Sequence, residues 1–176
     1  MSQSLVIRLL FIFVNLHDFL VNTMNKKQKI LAIASPGGHW IQLNKICNPL
    51  EDRFDVVYVT PGSQYSSAKK GNRNIVNITD ASATSKHKLI PLAFQLIMLF
   101  IKERPTAIIS TGAAPGAIAF LLAKFLPIKT IWVDSIANTA EISRSGRMVK
   151  KHADMVITQW EQLSDGKEII YQGSIL

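Results

Sequence analysis

Short apolar runs alternate along the chain with stretches whose apolar residues recur at helical spacing. Residues 29–35 (KILAIAS) are continuously apolar and stop at Pro36-Gly37-Gly38, the pattern of a buried parallel strand closed by a tight turn. Residues 40–50 then place Trp40, Ile41, Leu43, Ile46, Cys47 and Leu50 at helical intervals. A second strand is predicted over 55–60 (DVVYVT), stopped by Pro61-Gly62, and a weaker third over 74–78. The polar, basic stretch 64–72 reads as a loop or short helix. Residues 89–101 (LIPLAFQLIMLFI) predict a strongly apolar helix, too short to span a bilayer and therefore buried or interfacial, with Pro91 tolerated in its first turn. Further strands are predicted over 107–110, 129–134, 155–158 and 168–171, with helices over 117–126 and 145–152.

Strands alternating with helices imply an α/β fold, a Rossmann-like doubly wound parallel sheet with helices on both faces. No internal repeat, low-complexity tract or linker breaks the alternation. Ligands of such sheets sit beyond the carboxyl ends of the strands. That places the chemistry on five loops, 36–39, 61–65, 111–116, 134–138 and 159–160.

The 176 residues suit one domain with modest appendages. Twenty basic against twelve acidic residues give a net charge of +8, which favours an anionic partner. A mean hydropathy of +0.18 is high for a soluble domain and hints at membrane contact. The basic residues are not interleaved with aromatics, so no nucleic-acid partner is expected. Cys47 is the single cysteine; it excludes an internal disulfide and fits a reducing cytosol. Residues 5–21 are mostly apolar but interrupted by Arg8, Asn15, His17 and Asp18. Two readings of residues 1–23 stay open. They form a membrane-anchor helix with Arg8, Lys26, Lys27 and Lys29 near headgroups, or they are an upstream extension and the domain is 24–176, starting at Met24.

The glycine turn Gly37-Gly38 lets backbone N–H groups approach a phosphate at a helix N-terminus, and His39 stands where an imidazole can take a proton from a sugar hydroxyl. A tight turn in which His39 merely packs explains the same residues. The small-residue run from Thr111 and Gly112 to Gly116 leaves room either for a ligand or for close helix–sheet packing. Arg144, Arg147, Lys150, Lys151 and His152 form a basic cluster that suits a pyrophosphate, a lipid surface or plain solvation. A full dinucleotide fingerprint is absent, and the second strand ends in Val59-Thr60 without a ribose-binding acid, which argues against NAD. The sequence holds no Asp-x-Asp, no phosphate-binding P-loop and no His/Cys metal-ligand spacing, so no metal site is expected.

An ordered series of motifs is more specific than any of these alone. Ser35-Pro36-Gly37-Gly38-His39 with Leu43 is followed by Arg104-Pro105, Ile109-Ser110-Thr111-Gly112, Asp134-Ser135-Ile136-Ala137 and Ser143-x-x-Gly146. Ala153-Asp154, Gln159-Trp160-x-x-Leu163 and Tyr171-x-Gly173 complete it. From about Lys29 onward the chain resembles the asparagine-linked-glycosylation-fourteen family and its bacterial exopolysaccharide and capsule-biosynthesis relatives. The resemblance implies the N-terminal, acceptor-side half of a GT-B glycosyltransferase, similar in fold to the peptidoglycan N-acetylglucosaminyl transferase. A second polypeptide would supply the nucleotide-sugar domain and hold most of the UDP-sugar donor, with no other cofactor. The family commonly shows Glu-Ser-x-Ala-Arg where this chain has Asp134-Ser135-Ile136-Ala137-Asn138, so a cation is missing at Asn138.

These observations lead to an expected membrane-associated subunit of a bipartite glycosyltransferase, at the cytoplasmic face, acting on a lipid-linked saccharide. His39 or Asp134 would serve as base or orient the acceptor hydroxyl. Gly37, Gly38, Thr111, Gly112, Ser135, Asn138, Arg144 and Arg147 would bind substrate. The alternatives are a non-catalytic scaffold that recruits the catalytic subunit and a free-standing nucleotide-binding enzyme.

Overall fold

A computed structural model describes residues 27–62, 73–81 and 85–175. The apolar N-terminal stretch, the 64–72 segment and Leu176 lie outside the described residues. Seven strands form one all-parallel sheet: β1 (Lys29–Ile33), β2 (Asp55–Pro61), β3 (Asn74–Ile78), β4 (Ala107–Ser110), β5 (Lys129–Val133), β6 (Met155–Thr158) and β7 (Ile169–Tyr171). Their order is β3-β2-β1-β4-β5-β6-β7, a doubly wound sheet whose direction of winding reverses between β1 and β4. In register, Ile30 of β1 faces Val56 of β2 on one side and Ala107 of β4 on the other.

The helices are α1 (Gly38–Cys47), α2 (Leu89–Glu103), α3 (Ala113–Ala123) and α4 (Arg144–Val149). The first packs on one face of the sheet, where Leu43, Ile46 and Cys47 meet Ile30, Tyr58, Ile109 and Ile131. The other three cover the opposite face, where Leu92, Leu96, Phe100 and Phe120 meet Leu31, Val57, Ile108 and Trp132. Each such leucine or phenylalanine, fully buried, stabilises the fold by about 1.5–3 kcal/mol.

Several elements differ at their ends from the pattern-based expectation. The small-residue run 111–116 reads as a loop, yet α3 begins at Ala113. Pro115 sits in its first turn, where a missing N–H costs nothing. The helix expected over 40–50 starts two residues earlier and turns 3-10 at Asn48–Leu50, where Pro49 removes a donor. The segment expected over 145–152 starts at Arg144, because the Ser143 hydroxyl caps it by accepting from the Gly146 N–H at 2.9 Å. A left-handed residue, Arg104 with φ 49°, ends α2 just before Pro105.

The foot of the sheet is tied by ions. Lys29 Nζ lies 2.6 Å from Glu103 Oε2 and 3.4 Å from Asp55 Oδ2, and the Glu103 side chain is only 7 % exposed. The hydrogen bond from Lys29 holds the Glu103 carboxyl below its ordinary range, and the same bond raises Lys29. A carboxylate with a lowered folded pKa contributes stability above its unfolded pKa and loses it as pH falls through the folded value. Glu103→Gln is therefore expected to cost about 1–3 kcal/mol at neutral pH. Urea denaturation at pH 7 and near pH 3 should show the gap between the two proteins closing at the acid end.

Candidate active site at the crevice between strands one and four

At the carboxyl end of β1 the chain turns through Gly37, whose φ of 86° favours glycine, into α1. Gly38 opens the helix in open space: a Cβ there, or at Gly37, would meet nothing within 4 Å. His39 then reaches across to the loop after β4. Its Nδ1 lies 2.7 Å from the Thr111 carbonyl oxygen, and the Thr111 hydroxyl donates back to the His39 carbonyl at 2.7 Å. A carbonyl only accepts, so Nδ1 is the donor of this bond, and it is Nε2 that carries the lone pair whenever the ring is neutral.

This clasp depends on Gly112. Its φ of 142° belongs to glycine, and a Cβ on it would lie 2.3 Å from the His39 Cε1 atom. Ala113 follows with φ 68°, a left-handed conformation that costs an L-residue roughly 1–2 kcal/mol. On the sheet side, Gly116 lets α3 pack onto Ser110 and Trp132, since a Cβ there would come within 1.9 Å of the Ser110 hydroxyl oxygen.

The loop after β5 is built around Asp134, which is 2 % exposed. Its carboxylate accepts from Trp132 Nε1 at 3.0 Å, Asn138 Nδ2 at 2.9 Å, the Ser143 N–H at 2.9 Å and the Ser143 hydroxyl. Gly146 makes room for it, because a Cβ there would stand 2.9 Å from Asp134 Oδ1. Four donors and burial make Asp134 the hub that folds residues 134–146 over the sheet.

A pair of buried amides joins this loop to α1 and to the loop after β6. Gln42 Nε2 donates to the Ser135 hydroxyl at 3.0 Å, and Gln42 Oε1 accepts from the Ile136 N–H at 3.1 Å. Gln159 Nε2 donates both to Gln42 Oε1 and to the Asp134 carbonyl, each at 2.9 Å. Trp160 Nε1 donates to the Ile136 carbonyl at 2.8 Å. Gln42 is missing from the sequence-based candidates, where it reads as a polar interruption of an apolar helix. Its signal is its position three residues after His39, on the same helix face.

Between these loops lies a cleft of about 420 Å³, lined by His39, Ala113, Ser135, Asn138, Ser143 and Arg144 among others. The predicted residues His39, Ser135, Asn138 and Arg144 thus converge, and Glu141 on the same lining is paired with Arg147. Thr111 and Gly112 stand behind His39 and set its position. Arg147 instead turns to Glu141 at 2.6 Å and to the Ile142 carbonyl at 2.9 Å. The basic cluster of the sequence divides in space. Lys150 pairs with Glu168 at 2.6 Å, while Lys151 and His152 line a separate hollow with Lys124 and Asp154, where β5 and β6 begin. The two hollows have no lining residue in common. Asp154 ties β5 to the start of β6, accepting from the Thr130 N–H at 2.8 Å and the Thr130 hydroxyl at 2.9 Å. Burial pushes the Cys47 thiol well up, which leaves it inert as a nucleophile. Among the described residues no three His, Cys, Asp or Glu side chains group as a metal ion would need.

The family profile described as oligosaccharide biosynthesis protein Alg14 like matches residues 72–175. The chain belongs to the Alg14-like family. That match contains Thr111–Gly112, Asp134, Gln159 and Trp160, and begins after the His39 turn. No curated protein sequence matches significantly. Among solved structures, Acinetobacter baumannii MurG superposes with a TM-score of 0.69 at 14 % identity, over 82 % of this chain and 45 % of that one. The S. aureus MnaA–UDP co-structure gives 0.62 at 14 % identity, over 84 % and 44 %. UDP-N-acetylglucosamine 2-epimerase from Rickettsia bellii gives 0.63 at 15 % identity, over 85 % and 46 %. At such identities the likeness shows the fold, and the chain spans less than half the length of each.

Two substitutions test the architecture. Gly112→Ala is expected to cost about 2–4 kcal/mol through its backbone conformation and the clash with the imidazole. Loss of the His39–Thr111 bond should be visible as a shift of the His39 ring signals in NMR spectra. Asp134→Asn presents an amide N–H₂ to groups that are all donors, so it is expected to cost about 2–3 kcal/mol. Hydrogen exchange at the Ser143 amide should speed up accordingly.

Proposed function

We propose that the chain forms the acceptor-binding side of a glycosyltransferase made of two polypeptides, working on a lipid-linked saccharide at the cytoplasmic face of a membrane. The second polypeptide would carry the nucleotide-sugar site. Membership of the Alg14-like family supports a role in oligosaccharide biosynthesis. The fold likeness to MurG is compatible with a glycosyltransferase partner.

The observation that carries the reading is the placement of His39. Its Nδ1 is engaged by the Thr111 carbonyl on the wall of the cleft, so in the neutral ring Nε2 is the nitrogen that would accept from a substrate hydroxyl. In the proposed step Nε2 takes the proton of the acceptor hydroxyl as its oxygen bonds to the anomeric carbon. The bond from that carbon to the nucleoside diphosphate breaks, and its electrons leave with the diphosphate. Donors on the second polypeptide would stabilise the leaving group. Arg144, with Ser135 and Asn138 beside it, suits the anionic phosphates of a lipid-linked acceptor. Of the two candidate bases, His39 is favoured, because the oxygens of Asp134 already accept from four donors.

Transfer from UDP-N-acetylglucosamine to a lipid-pyrophosphate saccharide should require the product of a neighbouring reading frame that encodes a nucleotide-sugar domain. Efficient transfer by this chain alone would overturn the division. In the assembled enzyme, His39→Ala is expected to lower kcat by about 10²–10⁴-fold while the KM for acceptor changes little. Retained turnover in a folded His39→Ala complex would leave this chain the role of a recruiting scaffold.

A further inference from the structure

The hydrogen bonds behind the cleft have a direction, and main-chain groups fix it. The Ile175 N–H donates to Gln159 Oε1 at 3.2 Å, and the Asp134 carbonyl accepts from Gln159 Nε2 at 2.9 Å. A main-chain N–H only donates and a carbonyl only accepts, so the two ends of the Gln159 amide cannot be exchanged. The Ile136 N–H fixes Gln42 in the same way, by donating to its Oε1, which also accepts from Gln159 Nε2. Gln42 is thus left with its Nε2 toward Ser135 and donates to the hydroxyl oxygen at 3.0 Å.

A hydroxyl oxygen has two lone pairs and one proton. Ser135 Oγ accepts from Gln42 Nε2 and, at 3.3 Å, from the Ala137 N–H, so both lone pairs are occupied. Its proton remains, and among the described residues nothing accepts it. The side chain is 7 % exposed and lines the cleft. A buried donor left without an acceptor is costly, so the site gains whenever a ligand oxygen takes that proton. Ser143, on the same lining, has the opposite arrangement. Its proton goes to Asp134, and its oxygen accepts from the Gly146 N–H. Arg144 lines the cleft too and can only donate. Two donors, one of them a cation, suit an oxyanion better than a neutral hydroxyl, because charge-assisted bonds are roughly twice as strong.

We propose that Gln42 and Gln159 are positioning residues that hold Ser135 as a donor-only hydroxyl, and that the group it receives is a phosphoryl oxygen of a diphosphate. The choice of diphosphate rests on the function proposed above. The polarity of Ser135 rests on the hydrogen bonds alone and requires no glycosyl transfer.

The full-length chain can be titrated calorimetrically with inorganic diphosphate. Ser135→Ala is expected to weaken binding about tenfold or more, the loss of one charge-assisted donor. Gln42→Glu is nearly isosteric and reverses the relay. One carboxylate oxygen keeps the bonds from Ile136 and Gln159, and the other accepts the Ser135 proton and so withdraws it from the cleft. The added charge also repels diphosphate, so Gln42→Glu is measured with and without Ser135. It is expected to cost roughly tenfold more with Ser135 present than in the Ser135→Ala protein. Equal cost in the two backgrounds, unchanged affinity in Ser135→Ala, or no binding of diphosphate by the unaltered chain would overturn the proposal. The Trp160 indole N–H signal in NMR spectra, which reports the bond to the Ile136 carbonyl, verifies the fold of each variant. Should Gln42→Glu lose that signal, Gln42→Met removes the donor without adding charge. It is expected to weaken diphosphate severalfold with Ser135 present and not in its absence, and the opposite result would overturn the proposal. Competition tells the source of the diphosphate. Displacement of the probe by geranyl diphosphate at lower concentration than by UDP supports a lipid-linked acceptor. The reverse order overturns that assignment, and the acceptor side of the proposed function with it, while the donor role of Ser135 stands.

Discussion

Two strands that lie side by side, β1 and β4, send their chains away in opposite directions at their carboxyl ends, and His39 and Thr111 clasp the gap this leaves. Two reciprocal 2.7 Å hydrogen bonds across 72 residues of sequence fix the start of α1 against the loop that opens α3. The clasp is steric as much as polar. The imidazole occupies the space a side chain at Gly112 would fill, so one residue without a Cβ permits the approach. Once α1 is set by this contact, Gln42 on its next turn is set as well, and through Gln42 the loops after β5 and β6.

The polar groups behind the cleft are buried, and burial is tolerable because they are satisfied. Gln42, Gln159, Ser135 and Asp134 are each 9 % exposed or less, yet every one is held by hydrogen bonds. Among the described residues the buried side-chain polar atom left without a partner is Gln28 Oε1, at the other end of β1. A network of this kind rigidifies what it spans, since each bond in a low-dielectric interior is strong and each loss leaves a costly orphan. The cleft therefore has a stiff back wall, while Arg144 on its lining stays exposed.

The two faces of the helix layer divide the work. Inward, α2, α3 and α4 supply the apolar bulk that makes the sheet stable, including the edge-on contact of Phe120 with Trp132 at 5.4 Å. Trp132 passes that stability on to the site, because its indole N–H is one of the donors to Asp134. Outward, the same layer carries exposed apolar residues along α2, while the one acid of that helix, Glu103, is drawn into an ion pair with Lys29 at the foot of the sheet. The composition of the chain, apolar and basic at once, is the sum of these separate arrangements.

Much of the molecule is legible in the chain itself. The apolar runs, with Pro-Gly stops after the first two, located the strands seen among the described residues, the alternation implied the parallel doubly wound sheet, and the ordered motifs pointed to the family whose profile matches residues 72–175. His39 could be singled out because a strand, a glycine turn and a helix start are all local patterns. What needed the tertiary structure was every pairing between distant residues. No spacing in the chain announces that Gln42 bonds Gln159, 117 residues away, or that Asp134 is saturated by donors from three positions. Nor could a run of cations reveal that Arg144 faces the cleft while Lys151 stands at the opposite end of the strands. Local periodicity reports which neighbours share a face. Which faces meet is decided by strand order and helix packing, and those exist only once the whole chain has collapsed around one core.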